Sequence, residues 1–362
     1  MEHPDNRITV GVIYGGRSTE HEISCVSAGA IMSHLDTDRY QVIPIGITRD
    51  GMWTVGESDY SQLQIRDGVL PSVDKRAELA LSLDPGDNGL LLNLDTGQPH
   101  ARIDVAFPVL HGPFGEDGTI QGMLELIGLP YVGAGVLASA CGMDKEFTKK
   151  LAAAAGLPIT AELILRDGDT EVDETEKQRL GLPVFVKPAR GGSSIGVSKV
   201  SDWAQLPAAI AAARESDDKV IIEAEIIGDE VEVGVLEYPD GSVTASVPAK
   251  LNGTGDSEEG FYGFETKYLD NVVSPTIPAP YSDTVKDEIR ALAVRTFRAL
   301  NCQGLSRVDF FLTDRGPVLN EINTMPGFTP ISMYPQMFAA SGVTYEELLD
   351  VLVTTACQSP RR

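Results

Sequence analysis

Near the end of the chain, the run SRVDFFLTDRGPVLNEINTMPGFTP carries Arg307, Asp309, Glu321 and Asn323. Two carboxylates and one amide offer oxygen ligands of the kind a hard cation takes while keeping waters and substrate phosphates in its other positions. If RVDFF and LNEIN pair as strands, Asp309, Glu321 and Asn323 share one face. The plain alternative is a salt-bridged hairpin, but acids gathered on one face repel unless a cation sits between them. The pattern reads as the floor of a magnesium–ATP site.

Other residues suit the nucleotide's remaining parts. Lys145 precedes an alanine-rich helix, and Lys187 ends the apolar run LPVFVKPA just before the turn ARGGSSIG, whose small residues let backbone N–H groups approach an anion. A tight hairpin with an exposed basic tip explains Lys187 equally well. The chain has no GxxxxGK[ST] loop, so phosphate binding has to use another architecture. Glu223 and Glu230 flank a turn at Gly228, where they could accept hydrogen bonds from an adenine amine and a ribose hydroxyl; Glu225 and Glu232 are just as acidic, and the local pattern does not choose among them. Gly133-Ala134-Gly135-Val136-Leu137-Ala138 matches a GxGxxA fingerprint without a proper preceding strand, and it reads as a hinge. Thr19 and Glu22 have capping-box spacing, while Glu20, directly after a glycine turn, is placed to meet a ligand ammonium. HGPFGEDGTIQG, residues 111–122, follows the strand-like DVAFPVL, where open α/β sheets hold ligands.

These side chains need elements to hold them. RITVGVIYGG alternates and ends in Gly15-Gly16, and STEHEISCVSAGAIMSHL takes up helical periodicity, the usual opening of a doubly wound α/β lobe. Strands are expected at YQVIPIGIT and DVAFPVL, with residues 57–98 irregular or hairpin-like between them, and the first lobe ends near YVGAGV. The helix FTKKLAAAAGLP follows, closed by Gly156 and Pro158, and then strands at AELIL, PVFVKPA and VIIEAEI. DGDTEVDETEKQ is too polar for a core. VEVGVLEY opens a third region whose loop LNGTGDSEEGFYGFETKYLD is of a length uncommon unless it moves or binds something. Helix DTVKDEIRALAVRTFRAL, the strands RVDFFLTD and PVLNEIN, and helix YEELLDVLVTTA complete the chain.

Composition removes several function classes. A chain of 362 residues exceeds what one core organises and points to two or three lobes, with ligands in the clefts between them. The 42% hydrophobic content contains no run long enough to cross a bilayer, and the N-terminus MEHPDNR lacks the apolar stretch of a secretion signal. Cys25, Cys141, Cys302 and Cys357 stand far apart without metal spacing, as expected of free thiols in a reducing cytoplasm. A net charge of −24 argues against nucleic acid or an anionic membrane as partner. ATP is not excluded, because exposed charges are screened over about 8 Å and a few cations in a cleft dominate locally.

Taken together, IYGGRSTEHEIS, HGPFGEDGTIQGMLELIGLPYVGAGVLASACGMDK, VKPARGGSSIGVSKV, ETKYLD, SRVDFF and NEINTMPGFTPISMYP resemble, in order and over nearly the whole chain, the D-alanine–D-alanine ligase family of the ATP-grasp superfamily. The resemblance implies an α/β chain: an N-terminal open lobe over residues 1–133, then a two-lobed ATP-grasp fold over 134–227 and 228–362, with a mobile loop at 251–271. It implies that Lys145 and Lys187 bind phosphates, that Glu223 and Glu230 contact adenine and ribose, and that Lys267 closes on the γ-phosphate. Asp309, Glu321 and Asn323 match the ligands of two magnesium ions, with manganese as an alternative. Glu20 matches the residue receiving the first D-alanine's ammonium, Ser332 the one holding the second D-alanine's carboxylate, and Ser193 and Tyr268 a pair beside the second amine. Arg307 and the backbone N–H of Gly327 match oxyanion stabilisers, and His111 and Glu116 have supporting places. The implied activity joins two D-alanines for peptidoglycan precursors in a cytoplasmic homodimer. D-lactate or D-serine as second substrate, or a non-catalytic nucleotide-binding ATP-grasp protein, are the alternatives.

Overall fold

The structure is a computed structural model that describes residues 7–169, 171–192, 195–253, 274–329 and 331–358. Its first lobe is built on β1 (Ile8–Gly15), followed by α1 (His21–His34), β2 (Tyr40–Ile47), β3 (Trp53–Val55), β4 (Leu79–Leu81), β5 (Leu90–Asn93), β6 (Gln98–Arg102), β7 (Val105–Val109) and α2 (Thr119–Leu126). The main sheet runs β3-β2-β1-β7, with β1 parallel to both β2 and β7 and only β3 antiparallel. A strand flanked by parallel neighbours has no solvated face, which is why β1 is buried almost end to end. Within residues 57–98, β4 and β5 pair, and β6 extends them to a small antiparallel sheet.

One local expectation fails. Glu20 occupies the N-cap position of α1, and no side chain caps it. The helix therefore starts one residue later than a Thr19–Glu22 capping box requires. Ser18 Oγ instead accepts the Glu20 N–H at 3.1 Å, and Glu22 pairs with Arg49.

The chain continues through α3 (Val136–Met143), α4 (Lys145–Ala154), β8 (Glu162–Leu165), α5 (Glu174–Leu180), β9 (Val184–Pro188), β10 (Ser198–Val200), α6 (Leu206–Arg214) and β11 (Val220–Ala224). Here β10-β9-β11-β8 form an antiparallel sheet, its core filled by Val184, Val186, Val220 and Ile222 against α6. The polar DGDTEVDETEKQ stretch leads into α5, capped by Asp173. Last come β12 (Asp229–Glu237), β13 (Val243–Ala245), β14 (Ala249–Asn252), β15 (Ser274–Thr276), α7 (Asp283–Ala299), β16 (Leu305–Thr313), β17 (Gly316–Asn323), α8 (Met333–Ala340) and α9 (Tyr345–Gln358). The order β15-β14-β12-β16-β17, with β13 beside β12, makes a further antiparallel sheet.

Apolar packing ties the ends of the chain together. Leu348, Leu349, Leu352 and Val353 of α9 share one core with Val10 and Val12 of β1, Cys25 and Ala28 of α1, and Val105 and Phe107 of β7. Elsewhere Gly133, at φ +105°, runs so close to Gly304 that a Cβ on Gly304 would stand 3.3 Å from the Gly133 backbone nitrogen. That tight approach, and a positive φ at both positions, favour glycine. All four cysteines are free thiols.

Candidate active site

Arg307, Asp309, Glu321 and Asn323 meet on the sheet of β12, β16 and β17. Register places Glu232 opposite Asp309, Gly234 opposite Arg307, Asp309 opposite Glu321 and Arg307 opposite Asn323. Directly paired residues project to the same face of a sheet. Val308 and Phe310, with Leu319 and Ile322, fill the other face and join the core. Leu319 and Ile322 are three residues apart and could not share a face on a regular strand. A β-bulge at Asp309/Phe310 makes it possible: Asn320 is the extra residue, and beyond it Glu321 and Asn323 return to the cleft face.

Polar contacts lock this face. Arg307 donates through Nε and Nη2 to the two oxygens of Asp309 at 2.8 and 2.7 Å, and Nε lies 3.3 Å from Glu232. Asn323 Nδ2 donates to Asp309 at 3.0 Å. Burial works against the Arg307 charge, but Asp309, Glu232 and Glu321 more than offset it and raise its pKa well above the ordinary value. Glu225, by contrast, turns to Lys199 at 2.6 Å and is separate from this set. The ambiguity among the four glutamates is therefore reduced: Glu230 and Glu232 share the face of Arg307, and Glu225 does not.

The opposite wall comes from the first lobe. Glu20, His111 and Glu116 line the same cleft as Lys145, Gly192, Arg307, Glu321, Asn323, Gly327 and Ser332. Glu116 accepts the backbone N–H groups of Gly112 at 2.7 Å and Met325 at 3.3 Å, so it bridges the two walls. Burial, then the charge of Glu20, pushes its carboxyl up to about 8. His111 lies 3.1 Å from the Met325 carbonyl and 3.3 Å from Ser27 Oγ, and burial lowers its pKa. A Cβ on Gly112, at φ +72°, would stand 2.8 Å from Ser18 Oγ and 3.0 Å from Glu20, so a side chain there would be strained and would displace the Glu20 carboxylate or Ser18. Ser332 Oγ accepts the Thr329 N–H at 2.9 Å, beside Gly327.

The lysines arrive from α4 and from β9. Lys145 opens α4, donates to the Gly191 carbonyl at 2.8 Å and reaches within 4.0 Å of Glu321. Lys187 on β9 pairs with Glu223 on β11. Glu223 also contacts Lys149, a residue that local sequence did not single out. Burial alone would raise the Glu223 carboxyl, yet Lys149 and Lys187 hold it at about 2. Lys149 follows Lys145 by one helical turn, and Glu232 follows Glu230 by one strand repeat; those spacings were the available signals. Ser193, Lys267 and Tyr268 lie outside the described residues.

The donor set fits a hard cation. Among the described residues no group of three or more His, Cys, Asp or Glu side chains converges as a metal cluster. Asp309 and Glu321 contribute two carboxylates on adjacent strands and Asn323 an amide, an all-oxygen set that leaves positions for substrate oxygens. Among the described residues, no helix is long and apolar enough to cross a membrane.

Comparison with known proteins agrees with this architecture. Family models described as D-ala D-ala ligase N-terminus and D-ala D-ala ligase C-terminus match residues 9–134 and 151–354. The D-alanine–D-alanine ligase of Corynebacterium efficiens is 64% identical, the match covering 97% of this chain and 96% of that protein. The D-Ala:D-Ser ligase VanG from Enterococcus faecalis superposes with a TM-score of 0.83 at 34% identity over 97% of this chain and 99% of that one. The D-alanine–D-alanine ligase from Coxiella burnetii gives 0.82 at 32% identity over 97% and 94%. An α/β lobe followed by two antiparallel sheets is the ATP-grasp arrangement of these neighbours, and the chain belongs to the D-alanine–D-alanine ligase family.

Proposed function

We propose that the protein joins two D-alanines into D-alanyl-D-alanine while converting ATP to ADP and phosphate. The observation that carries this reading is the meeting of Glu20, Lys145, Arg307, Glu321, Asn323 and Ser332 around one cleft, with acid, base and amide groups from three parts of the chain. A free carboxylate is a poor acyl donor and needs activation first. In the first step a carboxylate oxygen of one D-alanine attacks the γ-phosphorus, the bond to ADP breaks, and D-alanyl phosphate forms. In the second, the amine of the other D-alanine attacks the acyl carbon, loses a proton, and phosphate departs.

Each side chain has a place in that sequence. Glu20 receives the first D-alanine's ammonium, and Lys145 and Lys187 neutralise phosphate oxygens, with Lys267 closing on the γ-phosphate. Glu223 and Glu230 take the adenine amine and ribose. Asp309, Glu321 and Asn323 would hold divalent metal, magnesium or manganese, whose role is to neutralise phosphate charge. Ser332 holds the second D-alanine's carboxylate, and Ser193 and Tyr268 stand beside its amine. Arg307 and the Gly327 N–H stabilise the oxyanion; Arg307 holds Asp309 through Nε and Nη2, which leaves Nη1 to donate to the substrate.

Product identification tests the whole proposal. The protein is incubated with ATP, magnesium and an equimolar mixture of D-alanine, D-serine and D-lactate, and products are resolved by mass spectrometry. D-alanyl-D-alanine should dominate. A predominance of D-alanyl-D-serine or D-alanyl-D-lactate would replace the second substrate, and no ligated product at all would remove the activity.

A further inference from the structure

Lys149 is only 1% exposed, and a buried ammonium is costly unless it is paired. It sits on α4 one turn beyond Lys145, contacts Glu223 Oε1, and lies 3.6 Å from Glu162 Oε2. The other oxygen of Glu223 is held by Lys187. Two lysines thus grip one carboxylate, but they differ in freedom. The Lys187 side chain is 14% exposed on a strand that runs into the Gly191-Gly192 turn, whereas Lys149 is sealed inside the lobe. When Lys187 turns toward phosphate, Glu223 Oε2 becomes open to a new donor, and Lys149 is the cation that stays. A buried carboxylate left with no cation tends to take up a proton, and its protonated oxygen then ceases to be an acceptor.

We propose that Lys149 is a positioning residue for nucleotide recognition: it keeps the Glu223 carboxylate in place to accept the exocyclic amine of adenine while Lys187 moves to the phosphates. The inference rests on the nucleotide roles given above to Glu223 and Lys187. It extends them to base selectivity, because a 6-oxo purine offers that carboxylate a repelling oxygen in place of an amine.

The experiment uses the full chain with Lys149→Met, Lys149→Arg, Glu223→Gln and the Lys149→Met/Glu223→Gln double variant. Calorimetry gives Kd for ATP and inosine triphosphate, steady-state assays give KM for D-alanine, and thermal melts report folding. Lys149→Met should weaken ATP binding by about ten- to a hundredfold, the scale of one charge-assisted hydrogen bond. It should also narrow the preference for ATP over inosine triphosphate while leaving KM for D-alanine near its unaltered value. Lys149→Arg should recover much of the loss, a rescue that a purely space-filling role would not give. The double variant should bind ATP no more weakly than Glu223→Gln alone. Unchanged ATP affinity in a folded Lys149→Met protein overturns the proposal. If that variant does not fold, a double variant clearly weaker than Glu223→Gln does the same. Failure of the unaltered protein to bind ATP would overturn both this inference and the function it rests on, whereas normal binding with unaffected variants removes only the role of Lys149.

Discussion

At the scale of single residues, Glu116 shows how strongly the cleft acts on a side chain. Its carboxyl is raised from an ordinary 4.5 to about 8 by burial and the nearby Glu20 charge. Between those values the folded protein holds a proton that the unfolded chain has released, so stability falls as pH rises, by about 1.4 kcal/mol per pH unit for one proton. The contribution is complete below pH 4.5 and is lost as pH passes 8. Glu116→Gln keeps an oxygen acceptor for only one of the Gly112 and Met325 N–H groups, which two different carboxylate oxygens accept, but it cannot ionise, so urea-unfolding free energies should fall overall and depend less on pH between 5 and 8. An unchanged slope would assign the titration elsewhere. Sequence pointed to Glu116 through its glycine-rich string, but its bridge to Met325 joins positions far apart in the chain. Lys149 and Glu232 were harder to see for the same reason: their partners Glu223 and Arg307 lie on other elements, and local spacing carries only half of each pair.

At the scale of elements, α4 is the mount for Lys145 and Lys149. Asp144 caps it by accepting the Glu146 N–H at 3.1 Å and also pairs with Lys219, while the Lys145 N–H is fixed to the Ala189 carbonyl at 3.0 Å. Asp144→Ala should cost about 1–2 kcal/mol through the lost cap and raise KM for ATP by loosening Lys145. Asp144→Asn keeps the cap and should recover most of the stability by urea midpoint. Equal losses in both variants would assign the effect to the Lys219 pair instead. The helix, like β1, β16 and β17, was readable because its periodicity is local. The β17 bulge left a fainter mark, since Leu319 and Ile322 are both apolar but out of step with alternation, and only the paired register reveals that Asn320 absorbs the mismatch. The Thr19–Glu22 motif had the opposite fate: the spacing was present, but the Ser18 turn and Arg49 took its donors and acceptors.

At the scale of the whole molecule, α9 is part of the first lobe's core despite lying at the far end of the sequence. Leu349 is 1% exposed there, and Leu349→Ala should cost about 2–5 kcal/mol. Amide exchange should quicken in β1 and β7 as well as in α9; acceleration confined to α9 would show that the shared core is not one cooperative unit. The same packing has a consequence for the newborn chain. The ribosome finishes β7 long before it makes Tyr345–Gln358, an interval on the order of ten to fifty seconds at about 5–20 residues per second. Throughout that wait the first lobe carries an apolar face with no cover. Its completion waits for α9, so a chain that stalls before Tyr345 leaves that face open to other apolar surfaces.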